Sequence, residues 1–399
     1  MTLNLAGRIS KVKPSKTLAV TARAAELKAA GKDVINFGVG EPDFDTPDNI
    51  KSAAIQAIQK GFTKYTAAGG ITDLKKAVQS KLARENNLQY GLDQIIIGAG
   101  AKFSIYSLFQ ILLNVGEEVL IPAPYWVSYP DMVLLADGRP VIIPTYAENN
   151  FELTIEDLQK NITPRTKILV LNSPANPTGS VYSKEKLQAI AQFLADKDIF
   201  VISDEIYEYF LYDEAEFYSL AQFSEKIKAK TIIVNGVSKS YSMTGWRIGY
   251  AAGPVEVIKA METLQSQSVS NPASIAQAAA VEAINGDQSS VQKMLTAFQK
   301  RRNRMVDGFQ KIPGITCHCP QGAFYVFPDV SALYGKTYKN RKITNSLELA
   351  DALLNEKLVA VVPGEAFGGD KYIRLSYACS LEHIEAGLAR IAEFVQELK

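Results

Sequence analysis

Six short apolar runs, separated by amphipathic stretches, occupy the middle of the chain. They are "QIIIGAG" (94–100), "EEVLIP" (117–122), "PVIIPT" (140–145), "TKILVLNSP" (166–174), "IFVISDE" (199–205) and "TIIVNG" (231–236). One intervening stretch, "KEKLQAIAQFLADKD" (184–198), carries Leu187, Ile190, Ala191 and Leu194 at helical spacing. Continuous apolar strands separated by helices predict an α/β fold with a mostly parallel sheet covered on both faces. The pattern changes after about residue 290. "VQKMLTAFQKRRNRMVDGFQKI" (291–312) reads as one long helix, followed by strand-like "AFYVFPDV" (323–330), a helix near 346–357, "LVAVVPG" (358–364) and "YIRLSYA" (372–378). That is the pattern of a smaller α+β unit, and the early "DVINFGVGEPDF" (33–44) is expected beside it. The expected division is 1–46 as an arm and part of the small domain, 47–290 as the large domain and 291–399 as the rest of the small domain.

Charge and cysteine usage narrow the function classes. The 399 residues carry a formal net charge of +1, without the basic excess of a nucleic-acid binder. No apolar run approaches the roughly 18 residues that span a membrane, and the first residues hold no apolar segment of signal-peptide length. Three cysteines, Cys317, Cys319 and Cys379, make no disulfide framework, so a reducing cytoplasm is expected. "CHC" (317–319) could be read as half a metal site. With two histidines in the chain and no matching cysteine pair, a strand or strand edge is the better reading, and no metal is expected.

In open α/β sheets ligands sit at the carboxyl ends of the strands, and the polar signals of this chain fall there. "GAGAKF" (98–103) follows one run and opens a helix, so the backbone N–H groups around Gly100, Ala101 and Lys102 form an anion cradle or an ordinary strand-to-helix turn. As a dinucleotide fingerprint it is broken, because Phe103 stands where the third glycine belongs. "NSPANPTGS" (172–180) is a rigid turn that could fix Asn176. "SDEIYEYF" (203–210) puts Asp204 at a strand end with Tyr207 three residues on; the acid could pair with a cationic ring nitrogen or a metal, or cap a helix. Trp126 in "PAPYWVSYP" (122–130) is either core or a stacking platform. Arg374 lies inside an apolar strand, where an unpaired guanidinium is rare, and its planar fork suits a carboxylate.

"GVSKSYSMTGWRIG" (236–249) holds Lys239 just past a strand, with Arg247 eight residues later. A lysine held in a desolvated pocket near a second cation has a lowered pKa and attacks carbonyls readily. A nucleophilic lysine, an acid for a ring nitrogen, an aromatic stacker and a phosphate cradle together describe a pyridoxal phosphate site.

The sequence resembles the class I, fold-type I pyridoxal-phosphate aminotransferases over essentially its whole length. The lysine motif carries the resemblance, with "GEPDFDTP" (40–47), "KYTAAGG" (64–70), "APYWVSYP", "NSPANPTG", "SDEIYE" and "IRLSYA" agreeing. The bacterial-type aspartate aminotransferases, which include prephenate aminotransferases, are the most similar group. The resemblance implies a mostly parallel seven-stranded sheet and a cytoplasmic homodimer with shared sites. By the same resemblance Lys239 binds the cofactor covalently and shuttles the proton, Asp204 pairs with the pyridine nitrogen, and Tyr207 and Asn176 reach its phenolic oxygen. Trp126 stacks on the ring. Gly100, Ala101, Lys102, Arg247 and, from the neighbouring subunit, Tyr65 hold the phosphate. Arg374 takes the substrate α-carboxylate with Gly40 and Asn176 assisting, and Lys102 stands where this group binds the second carboxylate. Lys13 and Thr17 match positions linked to prephenate acceptance. The implied reaction is transfer of the amino group from L-aspartate to 2-oxoglutarate, with prephenate as a further keto acid; an aromatic or broad-specificity aminotransferase is the alternative.

Overall fold

The computed structural model describes residues 5–14 and 16–399. Strand β1 (Ile35–Asn36) precedes seven strands that form one sheet: β2 (Ile95–Gly98), β3 (Glu118–Ala123), β4 (Arg139–Pro144), β5 (Thr166–Asn172), β6 (Phe200–Asp204), β7 (Thr231–Gly236) and β8 (Gly249–Ala252). The order is β2-β8-β7-β6-β5-β3-β4, and β8 alone runs against the others. All six apolar runs are strands of this sheet.

Alternation along each strand splits the core into two layers. Ile96, Val119, Ile121, Val170, Ile202 and Val234 face one layer with Leu108 and Phe109 of the helix Ala101–Leu112. Ile95, Ile97 and Ile233 face another on the opposite side, as do Leu120, Leu169 and Val201 farther along the sheet. Full burial of side chains of this size stabilises by roughly 1.5–3 kcal/mol each, which is why these strands show no polar face. The helix Lys184–Leu194 is capped by the Ser183 hydroxyl and buries Leu187, Ile190, Ala191 and Leu194, the stripe read from the sequence.

The strand β8 has no counterpart in the sequence reading. It spells Gly-Tyr-Ala-Ala, which lacks the β-branched signature. Its composition is set by packing. A Cβ on Gly249 would lie 2.3 Å from the backbone nitrogen of Ala101, and one on Gly236 would lie 2.8 Å from the Gly249 Cα. The start of the helix at Ala101 therefore rests directly on β8.

The chain ends meet in a smaller assembly. It contains β9 (Tyr325–Val326), a short hairpin of β10 (Thr337–Tyr338) and β11 (Arg341–Lys342), and then β12 (Val359–Ala360), β13 (Val362–Pro363) and β14 (Ile373–Ser376). The strand β1 pairs in parallel with β12, so "DVINF" does lie beside the C-terminal segment. The strands β13, β14 and β9 form an antiparallel sheet in that order. The long helix is Ser289–Phe309; Pro313, which lacks an N–H, lies just beyond the turn that ends it. Of the stretch 323–330 only Tyr325–Val326 is strand. Ala323 has φ +58°, and Pro328 removes a donor, so pairing continues only as isolated bridges from Asp329 to Thr316 and Tyr372. "CHC" lies just past Thr316, the bridge partner of Asp329, and is itself not strand; burial alternates as far as Cys317 (buried) and His318 (exposed), and the exposed Cys319 breaks the pattern. Among the described residues no helix is long and apolar enough to cross a membrane.

Candidate active site

Five strands of the large sheet end at one cavity of about 400 Å³. Ala101 and Lys102 reach it after β2, Trp126 after β3, Asn176 after β5, Asp204 and Tyr207 from the end of β6, and Lys239 after β7. Arg247 completes this side. Gly40, Arg374, Tyr325 and Thr17 line the facing wall. Residues scattered from 17 to 374 thus share one concave surface at the carboxyl edge of the sheet.

Lys239 Nζ donates to the carbonyl of Gly40 at 2.6 Å. Burial pulls its pKa down to about 8. The carboxylates of Glu41 and Asp204 oppose that pull, and Arg374 and Arg247 add to it. Its amine is therefore half neutral at about pH 8, where an ordinary lysine is almost wholly charged, and the neutral form is the one a nucleophile or base requires. Glu41 is itself held by the Thr244 hydroxyl at 2.6 Å.

Asp204 is 5 % exposed. Burial pushes its carboxyl up to about 6, against hydrogen bonds from Tyr129 and the Ile206 N–H and the charge of Lys239. The Tyr129 hydroxyl donates to it at 2.5 Å. The Tyr207 hydroxyl meets the Tyr325 hydroxyl at 2.8 Å, and burial drives the Tyr207 pKa well above that of a free tyrosine.

Gly100 caps the helix Ala101–Leu112 with φ +91°, a conformation that favours glycine. A Cβ there would meet Arg247 Nη2 at 2.5 Å, so glycine allows the guanidinium to sit over the helix start. Arg247 donates to the Thr244 carbonyl at 2.8 Å and itself adopts φ +58°, a left-handed conformation that an arginine keeps only where its surroundings enforce it. The Lys102 ammonium lies 5.1 Å from the Trp126 ring centroid. Burial, then the charge of Arg247, lowers its pKa, while Asp131 opposes.

Arg374 donates to the Gly38 carbonyl at 2.7 Å and to Asn176 Oδ1 at 3.1 Å. Its Cζ lies 4.6 Å from the Tyr325 ring and 5.1 Å from that of Phe367. The side chain is 3 % exposed, and its Nε is buried with no hydrogen-bond partner among the described residues. Asn176 is fixed by its own N–H, which donates to Asn172 Oδ1 at 2.9 Å.

Two sequence candidates stand apart. Tyr65 is 90 % exposed and does not line the cavity. Lys13 is exposed, and its backbone N–H bonds the Asp131 carboxylate. The sequence reading also missed residues. Tyr129 was in view three positions after Trp126, one helical turn on. Tyr325 and Glu41 gave no signal, because only the fold brings them beside Tyr207 and Lys239.

The chain matches the family described as aminotransferase class I and II over residues 32–391. The chain belongs to this family. The aspartate aminotransferase of Bacillus sp. (strain YM-2) is 52% identical over 392 residues, covering 98% of this chain and 99% of the relative. A probable aspartate/prephenate aminotransferase of Rickettsia bellii is 51% identical over 386 residues, 96% of this chain and 97% of the relative. Among solved structures, the aspartate aminotransferase from Rhizobium meliloti superposes with a TM-score of 0.96 at 44% identity, covering 100% of each chain. This aminotransferase therefore has the fold-type I architecture that the sequence predicted, and its family works with pyridoxal 5'-phosphate.

Proposed function

We propose that this aminotransferase moves the amino group of L-aspartate to 2-oxoglutarate, with prephenate as a further acceptor, and that its cavity holds pyridoxal phosphate through the residues described above. The observation that carries the reading is the buried Arg374, with an unpartnered Nε, in the same cavity as Lys239, Asp204 and Lys102. A guanidinium desolvated in this way asks for an anion. The relatives are named for aspartate and, in the second case, for aspartate and prephenate, each a molecule with two carboxylates.

The donor set fits the cofactor. A helix start with a glycine cap and Arg247 beside it suits a phosphate. A buried acid whose Oδ1 receives, among the described residues, only a 3.4 Å backbone contact suits a protonated ring nitrogen. Bound there, the cofactor supplies a carbonyl that links to amines and a cationic ring that stabilises negative charge at the neighbouring carbon.

The chain's residues do the rest. Asp204 would hold the proton on the ring nitrogen. Tyr207 and Asn176 would orient the phenolic oxygen, and Trp126 would cover a ring face. Neutral Lys239 would take the proton from the substrate Cα as general base and return it to the cofactor carbon on the far side of the linking nitrogen. Arg374 grips the α-carboxylate bidentately, with Gly40 and Asn176 beside it. Lys102, kept near the phosphate side, takes the second carboxylate. Thr17 lines the approach, and Lys13 precedes it on the arm. A keto acid that accepts the group runs the same steps in reverse.

In this reading residues 47–290 hold the cofactor, and 1–46 with 291–399 form the smaller domain that closes on the substrate and excludes water. The protein is a homodimer in which Tyr65 of a second copy completes the phosphate site; its 90 % exposure in the single chain is in keeping with that. The three thiols are unpaired, which suits the cytoplasm.

The test is the visible spectrum of the purified protein with pyridoxal phosphate. The expected band should bleach with L-aspartate and return with 2-oxoglutarate or prephenate, and Lys239→Ala should lack it. Lys102→Gln should raise KM for aspartate by about tenfold and leave aromatic amino acids unaffected. A coloured protein that ignores aspartate but answers aromatic amino acids would overturn the substrate assignment.

A further inference from the structure

Tyr325 takes no part in the function proposed above, yet its hydroxyl and ring touch three groups that do. It is fully buried on β9. The strand pairs with β14 so that Tyr325 lies opposite Ser376. Arg374, two residues from Ser376, is the diagonal neighbour on the same face, and its guanidinium lies 4.6 Å from the Tyr325 ring. The Tyr325 hydroxyl meets that of Tyr207 at 2.8 Å, with the two rings edge-on at 5.7 Å. A Cβ on Gly40 would lie 3.0 Å from the same hydroxyl, and the Gly40 carbonyl receives the Lys239 ammonium. Tyr207 follows the seven-stranded sheet, while Tyr325 and Arg374 belong to the three-stranded one. One hydroxyl–hydroxyl bond therefore joins the two assemblies inside the cavity.

Two hydroxyls that face each other share one hydrogen between them. If Tyr207 donates, its proton is spent on Tyr325. If Tyr325 donates, the Tyr207 proton is free for the cofactor, and its donor strength is raised by the bond it accepts. The cation over the Tyr325 ring makes Tyr325 the better donor. An anion on Arg374 offsets that cation and weakens the chain of bonds. The other charged or titratable groups that act on this pair are Asp204 at the end of β6 and Glu41 in the segment after β1, and Lys239 after β7 lines the same cavity.

Building on the cofactor and carboxylate sites proposed above, we infer that Tyr325 is a positioning residue: its hydroxyl donates to Tyr207 while its ring carries Arg374, so that an α-carboxylate arriving at Arg374 weakens the hydrogen bond Tyr207 gives the cofactor. The substrate thereby makes the cofactor-linked nitrogen more basic as it binds, ready to accept the proton that the incoming ammonium must lose.

The experiment follows the visible spectrum of the holoenzyme against pH, with and without succinate, a dicarboxylate that has no amino group to transfer. In the wild type succinate should move the spectral midpoint to higher pH. Tyr325→Phe keeps the ring and removes one oxygen. Its midpoint without succinate should already lie higher by about 0.7 pH unit, the shift expected from one hydrogen bond, and its response to succinate should fall to about half or less. Its kcat for aspartate should drop about three- to tenfold while KM changes less than about twofold, because Arg374 keeps its stack. Tyr207→Phe should likewise lose most of the succinate response, with Tyr325 and Arg374 intact. An unchanged midpoint and unchanged succinate response in Tyr325→Phe would overturn the inference and leave the cofactor site standing, as would a full response in Tyr207→Phe. A wild-type protein with no visible band would instead remove the cofactor site, and the inference with it.

Discussion

The Tyr129 hydroxyl donates to the Asp204 carboxylate at 2.5 Å, in a layer that water does not reach. Both groups sit at the carboxyl edge of the sheet, Asp204 as the last residue of β6 and Tyr129 in the helix Ser128–Leu135. Burial works against the ionised acid, and this bond is the largest effect working for it. Tyr129→Phe should leave the fold intact and push the Asp204 pKa above its present value of about 6. A hydrogen bond to a charged group contributes roughly 1.5–3 kcal/mol, so the affinity for pyridoxal phosphate should fall by about tenfold or more. Equilibrium titration of the apoprotein with the cofactor checks this. An unchanged dissociation constant would mean that Asp204 does not meet the ring nitrogen.

Lys239 and Glu41 give a pH dependence with a definite sign. The neutral amine is the reactive form, and the Lys239 pKa is drawn down to about 8. The rate at which the apoprotein combines with pyridoxal phosphate should therefore rise with pH and level off above about 8. The Glu41 carboxylate is the largest influence holding that value up. Glu41→Gln should move the inflection to lower pH, by an amount read from stopped-flow absorbance across pH 6–10. An inflection that stays in place, or moves up, would show that Glu41 does not act on the amine.

Glu205 offers a stability test away from the chemistry. It is 1 % exposed and accepts from Ser203 and Ser219 on one oxygen, while the other has no partner among the described residues. Burial first, then the Glu208 carboxylate, pushes it up to about 8 from an ordinary 4.5. A carboxyl whose folded pKa is raised contributes stability below its unfolded value and loses it as pH rises through the folded one. The apoprotein should thus lose stability between about pH 4.5 and 8 through this group. Glu205→Gln keeps an acceptor for the two serines and cannot ionise. Its melting temperature should exceed the wild type's at pH 9, on the order of a few degrees, and the gap should narrow at pH 5. Equal melting temperatures at pH 9 would refute the assignment.

Much of this was legible in the chain, for physical reasons. Strands buried on both faces must be continuously apolar, so β2, β3, β5, β6 and β7 announced themselves; the edge strand β4 was visible from its apolar run although only Ile143 of it is buried. Lys239, Asp204 and Asn176 at or just past the ends of apolar runs, and Arg374 inside one, were visible because a polar group set there is costly unless it is used. What stayed hidden obeys other constraints. The strand β8 is built from small residues because Ala101 rests on Gly249, which erases its propensity signal. Tyr129 and Tyr325 look like ordinary core aromatics, and their hydroxyls acquire meaning only when distant strands bring Asp204 and Tyr207 to them. Tyr65 could be named only through resemblance, since within one chain it touches nothing in the cavity.

That last residue allows a test of the dimer by complementation. If the site of one copy uses its own Lys239 and the Tyr65 of its neighbour, a hybrid of Lys239→Ala with Tyr65→Ala has unequal sites. The copy that carries Lys239→Ala also receives the altered Tyr65, so one site bears both lesions. The other site has its own Lys239 and an unaltered Tyr65 from its neighbour, and is intact. Two dimers, one inactive and one weakened in phosphate binding, should therefore regain activity when unfolded together and refolded as a mixture. Random pairing of equal amounts makes half of the dimers hybrids, each with one sound site, so activity at low cofactor should approach about a quarter of the wild type's. If Tyr65 served its own chain, every hybrid site would carry one lesion and mixing would restore nothing. Sedimentation of the mixture, read beside the activity, separates that outcome from a failure to pair.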